Sequence, residues 1–174
     1  MTKGSQIGVK DPDALGDVVL CPGPIDRSGR NSGYCEYRIS IPRKARWTLW
    51  ARVRYPTGGD MSFGLVLPGE EVTLSGKQVL GNCGVNDRRW HWTGRGGGVT
   101  TVPPGSPIVF PLEPGPFVFR IYPREGAGTA SANPRLDCFC LSESPEYAPT
   151  DADATAAFSS SGSKAVSTGK ASGR

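Results

Sequence analysis

The side chains able to do chemistry are few and poorly placed for it. The single histidine, His91, sits between Trp90 and Trp92. A nucleophile–base–acid relay needs partners that this surrounding does not offer, so a structural histidine is the simpler reading. No serine lies in a G-x-S-x-G elbow and no H-E-x-x-H occurs. The five cysteines are Cys21, Cys35, Cys83, Cys138 and Cys140, and one C-x-C with scattered companions is a poor zinc set. Cys138 and Cys140 fall on the same side of one strand, about 6.5–7 Å apart, too far to bridge each other easily. An odd count cannot pair completely within one chain. Mostly buried thiols are expected, with Cys21–Cys35 the one pairing left open. The glycine-rich run at 94–98 lacks the G-x-x-x-x-G-K-[ST] pattern, and no helix follows to offer its N-terminus to phosphate, so it reads as a flexible loop. None of this supports catalysis, and no enzyme is expected.

The elements that must position these residues are strands. Residues 34–41 alternate Cys35, Tyr37, Ile39 and Ile41 against Glu36, Arg38 and Ser40, and Pro42 stops them. Residues 47–55 place Trp47, Leu49, Ala51 and Val53 on one face, and Trp50, Arg52 and Arg54 on the other. Residues 117–125 set Phe117, Phe119 and Ile121 together, and residues 135–142 alternate Asp137, Phe139 and Leu141 with Leu136, Cys138 and Cys140. Shorter strands are expected at 17–20, 61–67, 72–74, 90–93, 100–102 and 108–112. With 24 glycines and 16 prolines between them, the pattern implies an all-β sandwich, jelly-roll-like, of one domain.

That domain spans 17–150, after a polar N-terminal extension over 1–16. Residues 151–174 are rich in Ser, Ala and Gly with one aromatic, so they read as a disordered tail or linker. A formal charge of +4 is too mild for nucleic acid to be the expected partner. No stretch approaches the ~20 apolar residues of a membrane helix. The N-terminus lacks the apolar core of a secretory signal, which leaves either an intracellular protein or a fragment of a larger secreted one.

Several segments also carry a resemblance. The order Pro114-Gly115, an aromatic strand, Arg124-Glu125-Gly126, Leu136-Asp137, an apolar strand and Glu146-Tyr147-Ala148-Pro149-Thr150 resembles the closing segment of the galactose-binding-like β-sandwiches. In particular it resembles carbohydrate-binding modules of families six and thirty-five. Upstream, Gly33-Tyr34 to Pro42, Trp47 to Arg54 and Trp90-His91-Trp92 are similar to its earlier strands. The resemblance implies a non-catalytic module that binds a glycan or polysaccharide through loops at one end, as an accessory to other domains or proteins. It implies a site in which Trp90 stacks on a sugar ring and Asn133 pairs with hydroxyls. Asn86, Asp87 and Arg89 stand beside Trp90, and Tyr34 offers a second platform. Trp47, Trp50 and Trp92 are expected in the core or on a sheet face. The group often holds a structural calcium, to which Asp137 corresponds. The first strand lacks the group's alternating acids, leaving Asp17 and Glu36 as the other donors, which argues against the metal. Asp137, directed inward, must then meet backbone donors or an arginine, with Arg124 the nearest. The alternative function is a structural or protein-interaction sandwich that has lost the sugar site.

Overall fold

A computed structural model describes residues 6–16, 19–21, 35–55, 62–67, 78–81, 88–96, 106–123 and 134–160. Twelve strands and one helix lie within them. One sheet holds β1 (Gln6–Val9), β2 (Val19–Cys21), β12 (Arg135–Ser142), β4 (Ala45–Arg54) and β10 (Val109–Leu112) in that order, with β7 (His91–Thr93) also on β4. The second holds β3 (Cys35–Ile41), β11 (Gly115–Pro123), β5 (Ser62–Val66) and β6 (Gln78–Gly81). A short ribbon pairs β8 (Arg95–Gly96) with β9 (Ser106–Pro107). Every pairing is antiparallel. None of the described helices is long and apolar enough to cross a membrane.

β4 organises its sheet. One edge pairs with β12, and the other is shared end to end by β10 and β7. The gap between the last two is closed by the Leu49 N–H donating to the Ile108 carbonyl, and the Ile108 N–H to that of Gly94. The alternation read from sequence holds on the inner face, where Leu49, Ala51 and Val53 meet Phe119, Ile121, Phe63 and Leu65 of the facing sheet. Tyr37 stacks on Phe119 and meets Phe139 edge-on, centroids 5.3 and 4.7 Å apart. Burial pushes its phenol well above the usual range. The outer face of β4 is closed as well: Trp50 and Arg52 are buried there. Gly94 runs flat against the Trp50 ring, where a Cβ would lie 2.5 Å from it. The first members of the glycine run are therefore packing residues and part of β8, not a flexible loop.

β11 and β12, adjacent in sequence, lie in opposite sheets. β12 shifts register between Leu136 and Phe139. Such a bulge inserts a residue and resets the alternation, so Leu136 and Phe139 both serve the core while Asp137 meets Arg52 on the outer side. The N-terminal extension contributes β1 and the clamp described below. Helix α1 (Asp151–Ser160) occupies the start of the expected disordered tail. Thr150 caps it: its hydroxyl accepts from the Asp153 N–H at 3.2 Å, and Asp153 accepts from the Thr150 N–H at 2.8 Å. Asp151 and Asp153 add negative charge at the positive end of the helix. Residues 161–174 lie outside the described residues, as do the strands expected at 72–74 and 100–102. Cys35, Cys138 and Cys140 are thiols and form no disulfide, so the Cys21–Cys35 bridge is not made.

Candidate functional site

Antiparallel pairing fixes which segments share an end. β4 finishes where β7 and β12 begin, with Arg54 opposite Arg135 and Val53 opposite His91. Trp90 and Arg89 precede β7 there; this is the loop end. Trp90 is half-buried and Arg89 exposed. One face of the Trp90 ring is covered by the Arg52 guanidinium, 5.0 Å from the centroid, a cation–π contact that fixes the indole. The Trp90 indole N–H is buried and has no acceptor among the described residues. His91 Nδ1 donates to the Arg89 carbonyl at 3.1 Å and the ring meets Tyr55 edge-on, a structural role as expected. Tyr34, Asn86, Asp87 and Asn133 lie outside the described residues.

Beneath Trp90 lies a network that sequence reasoning missed. Arg52 donates to Asp137 Oδ2 at 2.7 Å and, through a fork, to Asp151 Oδ1 and Oδ2 at 2.9 and 2.8 Å. It also donates to the Asp13 carbonyl at 3.2 Å, and the Trp92 indole donates to Asp151 Oδ1 at 2.9 Å. The Arg52 and Asp137 side chains are 5% and 1% exposed. Next along the face, Asp11 accepts from Arg54 at 3.1 Å and Arg135 at 2.8 Å. The N-terminal turn and α1 are thus held to the outer sheet face by charge, for no residue of α1 is buried. Burial raises the Asp11 carboxyl, but the Asp13 N–H, Arg135 and Arg54 outweigh it and hold it below the ordinary value. The Arg52 hydrogen bond, against the opposing effect of burial, lowers Asp151 too. Burial pushes the Cys138 thiol up to about 12.

The donors at Asp137 do not fit calcium. Its Oδ2 also accepts from the Leu15 N–H at 2.8 Å and its Oδ1 from the Gly16 N–H at 3.2 Å, so both oxygens face donors. Calcium requires six to eight oxygen ligands. Among the described residues no three His, Cys, Asp or Glu gather to hold a metal. Glu36, the other donor within them, lies on the opposite sheet and is held by Arg38 and Arg120. Asp17 lies outside them. A guanidinium and two backbone N–H groups neutralise Asp137, as the cost of a buried carboxylate demands. The arginine is Arg52; Arg124 lies outside the described residues.

No protein-family profile and no curated protein sequence matches this chain. Solved structures do. The backbone is similar to a carbohydrate-binding module of Cellvibrio mixtus lichenase 5A, in complex with cellotriose. The TM-score is 0.50 at 14% identity, over 82% of this chain and 88% of that one. It is also similar to the C-terminal CBM6 of a marine laminarinase from Zobellia galactanivorans, TM-score 0.46 at 15% identity, over 80% and 89% of the two chains. The fold is therefore an all-β sandwich of the kind seen in the lichenase module.

Proposed function

We propose that the domain is a non-catalytic carbohydrate-binding module that holds a glycan at the loop end of the sandwich. The observation that carries this is the likeness of its fold to a module solved with cellotriose, over most of both chains. Fold alone does not assign function, so the local chemistry has to agree. Half-buried Trp90, braced on one face by Arg52, suits a ring that must be rigid before a sugar stacks on it. Exposed Arg89 stands next to it. Asn133, Tyr34, Asn86 and Asp87 complete the proposed set. The engaged His91 and the protonated Cys138 suit binding without chemistry.

A glycan array followed by calorimetric titration of the best binder tests this. Trp90→Ala is expected to remove measurable binding with a small change in melting temperature. A variant that unfolds, or one that binds as well as the parent, would remove Trp90 from the site. The structural or protein-interaction sandwich would then lead, a reading favoured by the inward-turned Trp90 indole N–H.

A further inference from the structure

At the opposite end of β4 the chain reverses between β3 and β4, and β12 leaves its sheet; this is the turn end. A shallow, open cleft lies there, lined by Pro42, Arg43, Trp47, Ser142, Glu143, Ser144 and Tyr147. Three observations define its chemistry. Tyr147 is 39% exposed, one of two large apolar side chains left outside among the described residues. Its position is fixed, because its N–H donates to the Ser144 carbonyl at 3.3 Å and its hydroxyl bonds Asp153. Arg43 and Glu143, 100 residues apart in sequence, form a two-bond fork of 2.5 and 2.7 Å, the pairing a planar guanidinium makes with a carboxylate. Ser142 and Ser144 lock the wall beside them through mutual bonds of 3.0 and 3.1 Å.

The fork selects the ligand. Its charges cancel, and neighbouring Lys44 is cancelled by Glu113 at 2.6 Å, so neither an anion nor a cation is drawn in. It engages two of the guanidinium's five N–H donors, and each carboxylate oxygen keeps a second lone pair. Donors and acceptors in one plane match adjacent hydroxyls, each of which both gives and accepts a hydrogen bond. An aromatic face beside them suits the C–H face of a pyranose. We infer that this cleft is a second binding site, for a neutral sugar ring, separate from the loop end. Tyr147 stacks on the ring and the Arg43–Glu143 fork holds two neighbouring hydroxyls.

The experiment uses the full chain and an array of neutral oligosaccharides that includes cellotriose. The best binder is titrated into the parent and into Tyr147→Ala, Tyr147→Phe, Glu143→Gln and Trp90→Ala. A binder taken by both sites should titrate with two sites in the parent; Tyr147→Ala should weaken the cleft's binding about tenfold or more and Trp90→Ala only the loop end's, while Tyr147→Phe, which keeps the ring but loses the bond to Asp153, should stay within about twofold. Glu143→Gln should weaken binding at an unchanged melting temperature. Should Tyr147→Ala fail to fold, Glu143→Gln decides alone. Loss of binding with Trp90→Ala but with neither cleft variant overturns this inference and leaves the loop-end site standing. The converse pattern supports the cleft and removes the loop end. No binder on the array overturns both.

Discussion

At the loop end Arg52 is buried against Asp137 and forks outward to the half-exposed Asp151, whereas at the turn end Arg43 and Glu143 form their fork in water. Arg52 and Asp137 are 5% and 1% exposed; Arg43 and Glu143 are 71% and 33%. The distances are alike, so distance does not separate them. Solvent does. A buried pair cannot lose one member without stranding the other in a medium that solvates it badly. An exposed pair can part, turn its groups to a ligand and close again at little cost. The first arrangement suits holding two chain ends on a sheet; the second suits recognition.

The largest expected effect tests the buried half. Arg52→Ala leaves Asp137 buried without its cation and should cost about 3–5 kcal/mol, seen as a large fall in melting temperature. Arg52→Lys should not restore it, because an ammonium cannot reproduce the fork. A small loss in Arg52→Ala would put the two ends on the same footing. A chelator should leave the parent's melting temperature unchanged.

A middle effect comes from ending the chain after Thr150. This removes α1 and Asp151, whose side chain is 53% exposed, so screening reduces the loss to about 1–2 kcal/mol, a few degrees of melting temperature. No change would show that α1 rests on the face without stabilising it, as a linker would.

The smallest effect is with pH. Asp11 and Asp151 have folded values below the ordinary aspartate value of 3.8. Their stabilisation is therefore fully present above that value and lost as pH falls through the lowered ones. Stability should be level between about pH 7 and 5 and decline below about 4. In Asp11→Asn and Asp151→Asn the decline should be shallower. An equal slope in those variants would mean that other carboxylates govern it.

Much of the fold was legible because period-two patterns survive wherever one face is buried: β3, the inner face of β4, and β11 read correctly from their own residues. β12 did not, since a bulge is set by the partner strand, and Asp137 came out on the wrong side. The capping signal Thr150-x-x-Asp153 was present, but the small polar residues after it hid the helix. Arg52 looked like an ordinary outward residue, because its partners come from distant segments. Of the candidate site residues, Trp90 and Arg89 stand just before β7. Tyr147 was read as part of an exit segment, and nothing local joins Arg43 to Glu143.

Arg52 has one further consequence, for the order in which the molecule can be completed. Its side-chain partners lie 85 and 99 residues further along the chain. While a ribosome is still making the middle strands, the residue on which the outer face will be fastened has no carboxylate to meet and stays hydrated. Its desolvation must wait for the last strand and the helix after it. Synthesis thus leaves the outer face of β4 open until the last strand and the helix after it are made.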